Sequence, residues 1–159
     1  MGKTKQRKAA LSPRRLSLAV ALALLPAGAA LALPTGEQVI AGQASINRPN
    51  GTTLTVQQST PSAIINWQGF SIGAPEAVLF QQPGSGSVAL NRVVGNQPSE
   101  IFGRLQSNGQ LFLVNPNGVL FGRSASVDVG GLVASTLNIS NEDFLARRYR
   151  FSGNGARPR

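Results

Sequence analysis

The sequence predicts an all-β fold, and its second half favours a solenoid. Three observations carry this reading. Apolar residues come in short runs divided by Gly, Asn, Pro and Ser turn signals, with a period of two wherever alternation is clear. Helical periodicity is nearly absent after residue 33. Turn glycines fall at Gly109, Gly118 and Gly130, with strands of about five residues between them. Two or three such strands plus corners make a coil of roughly 20 residues, inside the range of solenoid repeats. The repeats share little sequence, so short strands at this spacing also allow a sandwich or a barrel.

The N-terminus comes before that domain and has three parts. Lys3, Lys5, Arg7, Lys8, Arg14 and Arg15 form a basic region, Leu16–Leu25 an apolar one, and Ala27–Ala32 a stretch of small residues. This is the pattern of a secretory signal peptide over residues 1–32, and the apolar run is too short to span a bilayer stably. Ala30-Leu31-Ala32 is the expected cleavage box, which makes Leu33 the first mature residue; cleavage after Ala29 is the alternative. No later stretch is apolar for long enough to form a membrane helix, so the mature chain is expected to be exported and soluble.

Residues 33–153 then supply the strands. Leu54 and Val56 alternate with Thr53 and Thr55. Ala63–Trp67 and Phe70–Ile72 flank Gln68-Gly69, and Val78–Phe80 and Val88–Leu90 flank a Gln-Pro-Gly-Ser-Gly-Ser loop. Ile101–Leu105 and Gln110–Val114 flank Ser107-Asn108-Gly109, a hairpin or corner signal. Ala125, Val127 and Val129 share one face of a strand, and Leu137 and Ile139 repeat that pattern. A solenoid end exposes unpaired backbone and core, so a cap is required. The irregular segment Gly36–Gly95 is the expected source, with Trp67 and Phe70 either plugging the end or serving as ordinary core aromatics. Glu142-Asp143 before Phe144 reads as a short helical turn or a closing loop. Arg147–Arg159 has five arginines and few apolar residues, so it reads as disordered or as an unfinished coil, with residues 154–159 a disordered tail.

Composition removes several functions. The net charge of +9 sits in the two tails, while residues 33–146 hold four arginines against six carboxylates. A nucleic-acid face is therefore not expected. Cysteine and histidine are absent, which excludes disulfides and thiolate chemistry and removes the usual general base and the commonest metal ligand. No metal or small-molecule cofactor is expected. A β-solenoid carbohydrate-active enzyme or polysaccharide-binding protein is the rival class. A glycosidase needs two carboxylates about 5–9.5 Å apart, and Asp128 with one of Glu142 or Asp143 is the available combination. Catalysis is not expected and no catalytic residue is assigned. Two sequons, Asn50-Gly51-Thr52 and Asn138-Ile139-Ser140, are as common as chance allows in so Asn/Ser/Thr-rich a chain.

The most defined turn is Asn115-Pro116-Asn117-Gly118. Leu111–Val114 leads into it and Val119–Phe121 leads out. Asn115 suits position i of a type I turn, Pro116 presets φ at i+1, and Gly118 suits i+3. On local chemistry this is a tight corner between two buried strands.

Several longer runs resemble one family. Ile65–Gly73, Ser87–Gly95, Ile101–Leu105, Gly109–Gly122 and Gly130–Ser140 are similar, in order, to the filamentous-haemagglutinin-type two-partner secretion domain, nearest its high-molecular-weight adhesin branch. The similarity covers roughly residues 36–153. It implies a right-handed parallel β-helix with an N-terminal β cap, and a role as the secretion module of a large exoprotein of adhesin, haemolysin or toxin type. It implies passage of the inner membrane through the Sec machinery, recognition by the POTRA domains of an outer-membrane β-barrel transporter, and delivery to the surface of a Gram-negative bacterium. It also implies that Asn115, Pro116, Asn117 and Gly118 are needed for secretion, through the fold or by contact. Family members continue far beyond the length seen here, so the chain is expected to be a truncated or frame-shifted member, or a fragment.

Overall fold

Among the residues that the computed structural model describes, 31–153, the chain winds through four coils. The first holds β3 (Thr53–Gln58) and β4 (Ser62–Trp67), after a cap formed by β1 (Gln38–Ala41) and β2 (Ala44–Asn50). The second holds β5 (Ala77–Gln81), β6 (Val88–Val93) and β7 (Ser99–Ile101). The third holds β8 (Arg104–Ser107), β9 (Gln110–Val114) and β10 (Val119–Phe121), and the fourth β11 (Ser126–Asp128) and β12 (Gly131–Ser135). Strands β3, β5, β8 and β11 stack in parallel in one sheet, and β4, β6, β9 and β12 in a second. A third face pairs β7 with β10 and is extended by a bridge between Ile72 and Ile101. This is a parallel β-solenoid. Thr53 lies opposite Ala77, Ala77 opposite Arg104 and Arg104 opposite Ser126, giving coils of 24, 27 and 22 residues. The second coil is longest because it carries the Pro83–Ser87 and Asn96–Pro98 loops.

Side-chain alternation sorts the residues. Leu54, Val56, Val78, Phe80 and Leu105 point inward from one sheet and meet Ile65, Trp67, Ala89, Val93, Leu111 and Leu113 from the other, all buried. Asn91 sits among them at 1% exposure. Its side chain accepts from Trp67 Nε1 at 3.0 Å and donates to the Phe112 carbonyl at 3.4 Å, so both ends of this amide are paired. The second sheet is covered on its outer face too. There Ile64, Val88, Leu90, Phe112 and Val114 form a separate cluster with Ile139 and Phe144. Burial on both faces is why β4, β6 and β9 read as continuous apolar runs, whereas β3 alternates.

The cover is the segment after the fourth coil. Helix α1 (Asn141–Leu145) starts at Ser140, whose Oγ accepts from the Asp143 N–H at 3.1 Å. Phe144 meets Phe112 edge-on at 5.5 Å, Tyr149 lies 4.8 Å from Phe112, and Phe151 stacks on it at 6.0 Å. Arg92 on β6 ties the segment down. Its Nε donates to Asn138 Oδ1 at 3.0 Å, Nη1 to Asn141 Oδ1 at 2.8 Å, and Nη2 to the Ile139 carbonyl at 2.6 Å. Burial lowers the Arg92 pKa, but a guanidinium stays charged.

Two expectations are corrected here and one is narrowed. The cap is β1 and β2, antiparallel on β4 and β3, and not the whole of Gly36–Gly95; the coils already begin at Thr53. Of the two readings of Trp67 and Phe70, the ordinary core one holds: they pack in the first coil, edge-to-face at 5.5 Å. Leu137–Ile139 is not a strand: Ile139 is buried under the outer face while Leu137 is 45% exposed, and only Asn138 bridges, to Ser152. Residues 147–153 are mostly exposed but not without contacts: Tyr149 and Phe151 lay their rings against Phe112, which a reading of the Arg-rich composition does not reveal. The expected signal peptide up to residue 30 and the expected tail 154–159 lie outside the described residues.

Phe144 is the anchor of this cover. Phe144→Ala is expected to cost about 3–5 kcal/mol in urea unfolding, with β-type circular dichroism retained and tryptic cleavage at Arg147 and Arg148 accelerated. An unchanged midpoint would show that the cover contributes nothing.

Candidate functional site

The Asn115–Gly118 turn connects the second sheet to the third face in the third coil. The Asn115 carbonyl accepts from the Gly118 N–H at 3.0 Å, closing a four-residue turn with Pro116 and Asn117 at its centre. Arg147 is the one non-glycine residue with positive φ among the described residues, so Asn117 has negative φ. That makes the turn type I and not type II, which needs positive φ at its third position. Gly118 takes φ 113°, a conformation that L side chains rarely adopt.

The two asparagines do different work. Asn115 is fully buried. Its Nδ2 donates to the Gln97 carbonyl at 2.9 Å and to Ser99 Oγ at 3.0 Å. Its Oδ1 accepts from the Asn117 backbone N–H at 2.9 Å and from Asn117 Nδ2 at 3.0 Å. Its backbone N–H donates to the Ser135 carbonyl at 2.9 Å in the fourth coil. One side chain thus joins the third coil to the second, and its backbone joins the third to the fourth. Asn117 is exposed, with Nδ2 also donating to the Gly95 carbonyl at 2.9 Å. Pro116 beside it is exposed too. The solvent-facing part of the corner is therefore a proline ring and one half-used amide, with no charge.

Beneath it lies the corner of the second coil. The Gly118 carbonyl accepts from the Ser99 N–H at 2.9 Å, and Ser99 faces Val119 across the β7–β10 pair. Gly95 in turn sits so close to the first coil that a Cβ there would lie 2.0 Å from the Gln68 carbonyl oxygen. Gln68-Gly69, Gly95–Ser99 and Asn115–Gly118 are one column of stacked corners. Sequence reasoning named the first and the last but not the middle one. Gly95-Asn96-Gln97-Pro98-Ser99 has the turn composition, one coil earlier, that would have found the partners.

The other residues singled out fall elsewhere. Ala30 lies outside the described residues. Ala32 is exposed, and its N–H donates to Glu76 Oε1 at 2.7 Å. The carboxylates of the rival reading are otherwise engaged: Asp143 and Glu142 face Arg148 at 3.0 and 3.7 Å. Glu37 is paired with Arg48 at 2.8 Å, and that hydrogen bond holds its carboxyl below the usual range. Asp128 is exposed on β11. Among the described residues no three acids gather as a metal site. Asn138, in one sequon, is bound by Arg92, whereas Asn50, in the other, is exposed.

Comparison with known proteins gives a consistent result. Residues 30–156 match the family model described as "TPS secretion domain". A heme/hemopexin-binding protein of Haemophilus influenzae strain Rd is 42% identical over 107 residues, which is 67% of this chain and 12% of that protein. A second protein of the same name from Haemophilus influenzae is 35% identical over 119 residues, 75% of this chain and 13% of its own length. The chain thus spans about an eighth of the length of these relatives. The crystal structure of the HMW1 secretion domain from Haemophilus influenzae superposes with a TM-score of 0.68 at 43% identity, covering 72% of this chain and 30% of that one.

The corner geometry ranks three substitutions. Asn115→Ala strands buried partners and is expected to cost about 1–3 kcal/mol. Gly118→Val forces a β-branched residue to positive φ, also at about 1–3 kcal/mol. Asn117→Ala, at the surface, is expected to cost under about 1 kcal/mol. Urea midpoints check the order, and a loss at Asn117 equal to that at Asn115 would contradict it.

Proposed function

The chain belongs to the TPS secretion domain family, and from that premise we propose that it is the N-terminal secretion module of a larger exported exoprotein. The observation that carries this is the match over residues 30–156, taken with relatives of which the chain covers only 12% and 13%. In this reading residues 1–32 direct the chain to the Sec machinery and are removed after Ala32. The domain then meets the POTRA domains of a two-partner secretion transporter in the periplasm, and the exoprotein emerges at the surface of a Gram-negative cell. The module itself performs no catalysis. Adhesive or toxic activity resides in the rest of an exoprotein, as heme and hemopexin binding is named for the relatives.

Two features support the mechanism. Asn115 stitches three coils together, so the corner is held rigid at the point where Pro116 and Asn117 reach solvent. The C-terminal end of the stack leaves Leu120 of the third coil and Val127 and Val133 of the fourth at 53%, 40% and 36% exposure. Such an edge templates a further coil, so folding that starts here proceeds along the exoprotein as it leaves the transporter.

The test joins the domain to a family exoprotein co-expressed with its transporter. Asn115→Ala and Gly118→Val should lower secretion in step with stability. Asn117→Ala should fold at the parental midpoint yet accumulate in the periplasm. Parental export of all three variants would remove the corner from the mechanism.

A further inference from the structure

Glu76 is a carboxylate buried to 2% exposure that the corner and the cap leave unexplained. Its Oε1 accepts from the Gly73 N–H at 2.7 Å, closing the Gly73–Glu76 turn, and from the Ala32 N–H at 2.7 Å. Its Oε2 accepts from the Leu33 nitrogen at 3.3 Å. The ion pairs among the described residues are Arg48 with Glu37 and Arg148 with Glu142 and Asp143, and none reaches Glu76. Amide donors alone offset the burial of a charge only in part, and a buried charge without a counter-charge is costly.

We propose that the counter-charge is the mature N-terminus, the Leu33 ammonium released by signal-peptide cleavage, docked on the buried Glu76 carboxylate. The inference rests on the proposed cleavage after Ala32. Hydrolysis of the Ala32–Leu33 bond consumes one water and leaves a carboxylate on Ala32 and an amine on Leu33. That amine takes up a proton at neutral pH. Ala32 departs with its N–H, and the Oε1 lone pair it occupied becomes free for the ammonium, which has three donors for two oxygens. The new terminus is already placed. Leu33 packs against the main core and Pro34 is buried. Arg48 holds the Pro34 carbonyl at 3.0 Å while gripping both oxygens of Glu37 at 2.8 Å. Among the described residues the unprocessed chain offers Glu76 only amides, so the processed chain gains a buried ion pair there.

The sequence provides a clean probe. Lys3, Lys5 and Lys8 are its only lysines, so a chain beginning at Leu33 has one primary amine. The exported chain is purified from the periplasm, its mass is measured, and the rate of acetylation by an N-hydroxysuccinimide acetate is followed. Pairing that raises the amine pKa by about one unit cuts the reactive fraction about ten-fold. The folded chain should react about ten-fold slower than the same chain in urea, and Glu76→Gln should remove that protection while β-type circular dichroism persists. Equal rates folded and unfolded, or unchanged protection in Glu76→Gln, overturn the pairing. A second variant, with one alanine inserted before Leu33 to move the amine off Glu76, should unfold at lower urea; an unchanged midpoint also overturns it. A mass beginning at Ala30, or retaining Met1, overturns both the cleavage reading and the pairing, whereas a mass beginning at Leu33 with an unprotected amine overturns the pairing alone.

Discussion

Each interior strand can satisfy its backbone only by pairing in register with the coil before and the coil after it. Parallel pairing sets the coils at one strand spacing, about 4.8 Å, and at that spacing the corners touch as closely as the strands do. A Cβ at Gly103 would lie 2.2 Å from the Gly73 carbonyl oxygen, and one at Gly95 would be closer still to Gln68. Both glycines stand where corners of adjacent coils meet backbone to backbone. The Asn115 side chain belongs to the same constraint: it fills the corner of its own coil and hydrogen-bonds the corner of the one below.

A stack of this kind has two open problems, its ends and its faces. The N-terminal end is closed by turning two strands antiparallel onto the first coil, so that β3 and β4 gain partners on their outer edges. One face is closed by the segment after β12, which brings three aromatic rings onto Phe112 and is held by an arginine that finds only amide and carbonyl oxygens. Arg92 thus acts as a hydrogen-bond clamp and not as an ion pair, which suits a site where several backbone and side-chain carbonyls converge.

Much of the architecture was legible in local chemistry. Alternation at Leu54 and Val56 reported a strand with one buried face, and the unbroken run Leu111–Val114 reported one buried on both. Asn115-Pro116 and Gly118 fixed the turn type. What was not legible is what depends on partners distant in sequence. Trp67 is a core residue because Asn91, one coil on, takes its indole N–H. Tyr149 and Phe151 are ordered because Phe112 awaits them, and an Arg-rich composition says nothing of that. Turn position already set Asn115 apart from Asn117, the better candidate for outward display, but it is coil stacking that buries the first fully and leaves the second exposed.

That division underlies the proposed mechanism: the buried half of the corner keeps the coils in register, and the exposed half meets the transporter. Site-specific photo-crosslinking during export separates the two most directly. A photoreactive residue replacing Asn117 should capture the periplasmic domains of the transporter, and one replacing Leu145, exposed on the aromatic cover, should not. Export of the Asn117-labelled chain without capture, or equal capture from both positions, would contradict a docking face at this corner.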